Sequence, residues 1–408
     1  MDGLVAGIDL RNSRTHIYCM DPEKAWVIPT VICKNKNSDD WYVAEEAYEH
    51  ALLGDGAMED HLLTQVVKDG TATISGTRYT AQTLLEMFLK KCLELPMKAL
   101  DKKEVASLVI SLETLDVRLM DSLMYCADFL GIDRRRVRIV GHSESFIYFV
   151  MVQQRQVWSN QVGMFDLEDE NLHYYEMRVQ RNTAKMHALA ESEKMEEGFH
   201  LDVLENDAGR KVGDRILTAC ADRCLGNRLF SAIILTGRGF DSGTGWAPDF
   251  MKKICERRRV FTDPHVFAHG AAVLAADAVR REAFFNFDVI CDGHLSTEVS
   301  VNILDRDKES RLVLAKAGSR WYETKRSSDF IVKGPLEVEF ILEPLGGGQK
   351  RTVKVPLTGF PKRPDRTTRI RVTIGFLSRA KMVAVIRDLG FGELFPATDT
   401  VLRQEIDL

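Results

Sequence analysis

The sequence predicts a two-part chain: an α/β region built as two similarly organised halves, followed by an all-β sandwich. Two apolar runs, Leu4–Leu10 and Gln161–Leu167, each carry an acid near their end and lead into a second alternating run at hairpin distance. Behind each of them, further apolar runs alternate with helix-like stretches, the order of a doubly wound α/β unit. Beyond about residue 284, short β-branched runs are separated by Gly, Pro and Asp turns at about ten-residue spacing, as in a sandwich. The length agrees, because 408 residues exceed the ~250 to 300 that one core usually takes.

In chain order, residues 4–10 and 15–19 form the first hairpin around the polar tip Arg11-Asn12-Ser13, and a third strand covers 26–33. A helix spans 44–53. Leu84, Leu85, Phe88, Leu89, Cys92 and Leu93 recur at three- and four-residue spacings behind Thr80, which predicts an amphipathic helix with that threonine as its N-cap. A strand over 106–112, a helix over 114–130, a strand over 137–140 and a helix over 144–157 complete the first half. The second half repeats the opening with strands at 161–167 and 173–179. A polar helix over about 203–224, a strand over 232–237, the Gly-rich loop Gly237–Gly245, a helix over 247–255 and a helix entry at Gly270-Ala271-Ala272 follow. The expected boundaries are 1–283, with halves of about 1–160 and 161–283, and 284–408 for a sandwich of seven or so strands.

Composition excludes several classes. With 45% apolar and 28% charged residues the chain is globular rather than disordered or fibrous. No run approaches the ~20 apolar residues of a membrane span, and the first residues lack a basic and apolar leader, so a cytoplasmic, unexported protein is expected. Eight scattered cysteines are too sparse for a disulfide framework. The net charge of −5 hides an asymmetry: residues 288–408 hold 20 Lys+Arg and 17 Asp+Glu, which leaves −8 on residues 1–287. Residues 350–381 carry ten basic side chains against the single acid Asp365, a stretch open to an acidic partner. Few aromatics interleave there, which argues against nucleic acid.

The candidate site lies at the two leading strand ends. In paired α/β units the carboxyl ends of the strands face the ligand cleft. Asp9 and Asp166 would there hold the waters of a hydrated Mg²⁺ beside a polyphosphate. Backbone N–H groups of the hairpin tip would meet phosphate, and the glycines after residue 236 would let a base and ribose approach the backbone.

In this order the motifs resemble those of the actin-like ATPase superfamily, within it the DnaK-type heat-shock chaperones. Gly7-Ile8-Asp9-Leu10-Arg11-Asn12-Ser13 is similar to that family's first phosphate motif, GIDLGTTNS. Asp166-Leu167-Glu168-Asp169-Glu170 stands at its second, DLGGGTFD. Leu235-Thr236-Gly237-Arg238-Gly239 and Gly270-Ala271-Ala272 resemble its adenosine motif, Arg138 to Glu144 stands at its connecting stretch, and the sandwich falls where those chaperones bind peptide. The resemblance implies a bound ATP or ADP with Mg²⁺, positioned through water by Asp9 and Asp166. It implies that Asn12 and Ser13 approach phosphate, that Gly237, Gly239 and Gly270 flank adenosine, and that a peptide or protein client occupies the sandwich.

The departures are specific. Arg11 replaces the first phosphate-approach glycine, and Glu168, Asp169 and Glu170 replace the triple glycine, where their charge repels phosphate. His142 aligns with the metal-facing glutamate and His173 with the second aspartate. No lysine stands in the catalytic place, Lys68 being only a remote match, and the helical lid has no counterpart. The expectation is therefore a degenerate, lidless relative with weak or lost hydrolysis, or a non-enzymatic scaffold on the same fold. Elsewhere, Cys220 and Cys224 share a helix face without a second pair and read as packing. Ser143 lacks the second glycine of a nucleophile elbow, and Gly346-Gly347-Gly348 reads as a turn.

Overall fold

A computed structural model describes residues 3–182, 185–226, 228–280, 286–306, 308–345 and 349–408. The expected boundary at 283/284 and the Gly346-Gly347-Gly348 turn lie outside these residues. The chain divides into two compact units, Met1–Phe287 and Asp288–Leu408: a mixed α/β unit and a β-rich one. Among the described residues no helix is long and apolar enough to cross a membrane.

The first unit opens with strands β1 (Leu4–Leu10), β2 (Arg14–Met20) and β3 (Glu23–Pro29). The sequence suggests one strand over 26–33. The chain instead breaks after Pro29, which has no N–H for a ladder, and resumes as β4 (Ile32–Asn35) in a separate small sheet. That sheet includes β5 (Trp41–Tyr42) and β6 (Gly56–Glu59), with α1 (Ala44–Leu53) between them. Helix α2 (Leu62–Val67) and the hairpin β7 (Thr71–Ile74) and β8 (Thr77–Thr80) lead to α3 (Ala81–Ala99). There the Thr80 hydroxyl accepts the Thr83 N–H and the apolar stripe from Leu84 to Leu93 is buried. Strand β9 (Val105–Leu112), α4 (Val117–Phe129) capped by Asp116, β10 (Val137–Gly141) and α5 (His142–Met151) follow. Helix α5 stops six residues short of the expected 157.

The second part of this unit contains β11 (Gln161–Leu167), β12 (Leu172–Asn182), β13 (Lys185–Lys194), α6 (Asp207–Leu225), β14 (Phe230–Thr236), α7 (Pro248–Ile254), β15 (Arg259–Thr262) and α8 (Val266–Ala278). β16 (Phe287–Ile290) marks the division between units. Gly270-Ala271-Ala272, expected at a helix entry, lies inside α8. The two main sheets share one order. The first runs β10-β9-β1-β2-β3 and the second, within this unit, β15-β14-β11-β12-β13. Each leading strand pairs antiparallel with its hairpin partner and parallel with a later strand. Asp9 stands between His16 and Ser111, and Asp166 between His173 and Thr236, so both acids occupy the same register position.

Close packing holds this frame. A Cβ on Gly7 would stand 2.1 Å from the Ala272 nitrogen and 2.2 Å from the Ala268 carbonyl oxygen, so only glycine lets α8 lie this near β1. Beneath the second sheet, Phe165, Leu167, Leu217, Phe240 and Phe250 are buried with Cys220 and Cys224, whose thiols burial pushes up to about 11 and about 12. The cysteine pair is core packing.

The second unit is built from β17 (Thr297–Asp305), β18 (Lys308–Ala315), β19 (Arg326–Val332), β20 (Glu337–Pro344), β21 (Arg351–Pro356), β22 (Thr368–Ser378), β23 (Lys381–Gly390) and β24 (Val401–Asp407). They form two four-stranded sheets, β18-β17-β20-β21 and β19-β22-β23-β24. Burial alternates, with Ile370, Val372 and Ile374 inside and Arg369, Arg371 and Thr373 outward, the two-residue period of a half-buried strand. The sheets are joined at both margins: Arg326 Nη1 donates to the Val313 carbonyl at 2.8 Å, and the Arg351 guanidinium donates to the Asp407 carbonyl. A buried ion pair secures one end. Arg363 meets both Asp388 oxygens at 2.7 Å, and Asp388 also accepts the Gly390 N–H and the Thr398 N–H and hydroxyl.

Candidate functional site

The ends of β1 and β11 converge on one buried cluster. Asp9 and Asp166 are 3% and 1% exposed, and the charge between them belongs to the chain itself. Arg11, two residues past Asp9, turns inward from the hairpin and is 7% exposed. Its Nε donates to Asp9 Oδ2 at 2.9 Å, and its Nη1 donates to Asp166 Oδ2 at 3.1 Å and Oδ1 at 3.3 Å. The same Nη1 lies 3.1 Å from Glu168 Oε1. The sequence reading places Arg11 on a polar tip and treats it as a missing glycine. Its side chain is long enough to join both strand ends, and that reach requires burial.

Aromatic residues close the cluster. His142, the first residue of α5, brings Nε2 to 2.7 Å from Asp9 Oδ1 and Nδ1 to 3.3 Å from the Tyr175 hydroxyl. Phe267, from α8, stacks on the His142 ring at 3.8 Å and lies 5.1 Å from the Arg11 guanidinium carbon, a cation–π contact. Neither Phe267 nor Tyr175 stands in a motif, so the sequence carried no signal for them. His142 is marked in the sequence only by its alignment.

Burial alone would raise the Asp9 carboxyl, but Arg11 and His142 beside it hold it well below the usual range. Burial works against the Arg11 charge too, and Asp166, Asp9 and Glu168 more than restore it. Glu168 is the poorly compensated member: burial, then the nearby Asp166 carboxylate acting against Arg11, pushes it up to about 7. His16, opposite Asp9, is lowered by burial to about 4.

The Glu168 shift predicts a pH dependence. A carboxyl whose folded value is raised contributes stability that is fully present below its unfolded value and lost as pH rises toward about 7. Glu168→Gln removes that loss. Urea unfolding of the variant and wild type from pH 5 to 8 is therefore expected to give a difference that shifts in the variant's favour by about 2 kcal/mol as pH rises. A pH-independent difference would contradict it.

The remaining residues singled out in the sequence are divided between exposed and buried positions. Asn12 is exposed, donating to the Thr64 hydroxyl at 2.9 Å and accepting the Thr64 N–H at 3.2 Å. Ser13 is exposed and its carbonyl accepts the Thr30 N–H. Gly237, at φ +92°, adjoins the cluster, since a Cβ there would stand 2.5 Å from the Leu167 carbonyl and 2.7 Å from Asp166 Oδ1. Gly239 abuts the Leu167 side chain, and a Cβ on Gly270 would stand 1.9 Å from the Ser145 carbonyl. Asp169 pairs with Arg238 at 2.6 Å and Glu170 lies 3.9 Å from His200, so all three acids that replace glycines have a basic neighbour. His173 faces Glu113 at 3.6 Å, Lys68 is exposed past α2, and Ser143 is buried in the first turn of α5.

Two sheets of one order with a buried carboxylate–guanidinium cluster at their leading strand ends thus define the N-terminal unit. The chain belongs to a family of unknown function, DUF5716 C-terminal, which matches residues 13–292. Residues 294–408 match a domain of unknown function, DUF8552. The first match contains Asp166 and Glu168 and begins just after Arg11. No curated protein matches the chain.

Proposed function

We propose that this protein is a non-catalytic interaction protein, a degenerate relative of the actin-like ATPases whose nucleotide site has been closed from within. The observation that carries this is Arg11, joined to Asp9 and Asp166 and adjoining Glu168. A hydrated Mg²⁺ needs the same carboxylate oxygens and would stand against a guanidinium in a buried site, so the residues present do not fit that ion. The shared order of the two sheets supports the actin-like reading, and Asp9 and Asp166 at one register position support an internal duplication. The glycines expected to flank adenosine abut the chain's own backbone and side chains, which agrees with a closed site.

The rival is a DnaK-like chaperone in which ATP or ADP with Mg²⁺ biases client binding by the C-terminal sheets. Isothermal titration of the full chain with ATP and Mg²⁺ separates the two. Heat at the level of dilution, with no rise in melting temperature on adding ATP, is expected; a saturable isotherm would return the chaperone reading.

A further inference from the structure

The second sheet of the C-terminal unit turns a charged face outward. Five of the ten basic residues in 350–381 pair with carboxylates of the chain, Arg366 with its neighbour Asp365 at 3.9 Å. Lys354 pairs with Glu337 at 3.1 Å and Glu339 at 2.5 Å, Arg363 with Asp388, Arg371 with Asp329, and Lys381 with Glu405 and Asp407. The arginines of β22, β23 and β24 share one face. Arg369 and Arg371 on β22, Arg387 on β23 and Arg403 on β24 are all exposed at outward positions. Arg371 and Arg387 stand directly opposite each other in the antiparallel ladder.

Like charges at directly opposed positions destabilise a sheet. Asp329 binds Arg371 in a fork at 2.7 and 2.9 Å, and Glu405 holds Arg403 at 2.9 Å. Among the described residues no carboxylate pairs with Arg369 or Arg387. With Lys381, five cations therefore meet three carboxylates, Asp329, Glu405 and Asp407, on this face. Val383, Val385 and Leu389 lie between them half-buried, and Ile331 and Val401 are 53% and 47% exposed at its sides. Guanidinium forks suit planar carboxylates, and the aliphatic floor lacks the aromatic platforms that bases stack on.

We infer that this face docks an acidic polypeptide segment of a partner protein, its carboxylates meeting Arg369 and Arg387 and its aliphatic side chains the valine floor. The inference gives the interaction reading a kind of partner. It rests on the C-terminal unit alone, so the ATP titration and the test below can fail separately.

The test is fluorescence anisotropy of labelled poly-L-glutamate with the full-length protein at low salt, with poly-U RNA as the competing polyanion. Saturable binding that salt weakens is expected, with poly-U bound more weakly. Arg369→Gln with Arg387→Gln lowers the affinity about tenfold, since both unanswered charges are lost. The double variant melts no lower than wild type, because the change relieves the Arg371–Arg387 repulsion. Arg379→Gln, on the exposed β22–β23 turn, leaves the affinity unchanged and shows that a placed face is read rather than net charge. Absence of saturable binding, equal affinity in the double variant, an equal loss with Arg379→Gln, or tighter binding of poly-U would each overturn the inference.

Discussion

Arg11→Ala is expected to destabilise the N-terminal unit by about 3–5 kcal/mol at neutral pH, the cost of leaving buried charges without their partner. Asp9, Asp166 and Glu168 would then face one another around a vacated space. The variant should respond to divalent cations as the wild type does not, its melting temperature rising in millimolar Mg²⁺ or Ca²⁺, since three carboxylates sharing a gap are a hard-cation site. Its deficit should also shrink in acid. With the guanidinium gone, the Asp9 and Glu168 carboxyls lose the charge that lowers them, and protonation relieves the repulsion among the acids. Urea titrations at pH 5 and pH 8, with and without Mg²⁺, measure all three effects. A variant as stable as wild type and indifferent to Mg²⁺ would remove Arg11 from the centre of the site and reopen the nucleotide reading.

In the C-terminal unit, Arg363→Met should be nearly as costly, about 3–5 kcal/mol, because it strands the buried Asp388. Burial alone would raise the Asp388 carboxyl, but Arg363 and the donors from Gly390 and Thr398 hold it well below the usual range. A carboxyl depressed in this way contributes stability above its unfolded value and loses it as pH falls toward the folded one. The deficit of Arg363→Met is therefore greatest at neutral pH and narrows in acid. Joint replacement, Arg363→Met with Asp388→Leu, should cost much less than the two single changes together, since an apolar pair leaves no stranded charge. Hydrogen exchange at the Gly390 and Thr398 amides, read beside urea unfolding, tests the assignment. Unchanged protection in Arg363→Met would show that the loop from 390 to 398 is held by other means.

Much of the architecture was legible because local chemistry and global position agreed. Thr80 caps the helix it precedes, and the alternation over 369–374 marks inner and outer faces. β13 was hidden because its buried positions are Ala188 and Ala190, small residues with little strand preference, among charged neighbours. β24 was hidden for a related reason: as an edge strand it buries Ile406 and leaves Val401, Arg403, Gln404 and Glu405 exposed. The site divides in the same way. Asp9 and Asp166 stand at strand ends that periodicity locates, whereas the partner of Arg11 lies 155 residues away, and no spacing rule brings it near. His142, Tyr175 and Phe267 come from three further elements and meet only in the folded chain.

A diffusible cation occupies its site according to its concentration, and a protein that depends on one carries information about its surroundings. The guanidinium at the ends of β1 and β11 is tethered two residues from one of its carboxylates, so its occupancy is set by folding rather than by supply. An arrangement of the two sheets that depends on that charge would be held at every nucleotide and magnesium level, and the geometry the N-terminal unit offers to others would be constant for as long as it stays folded.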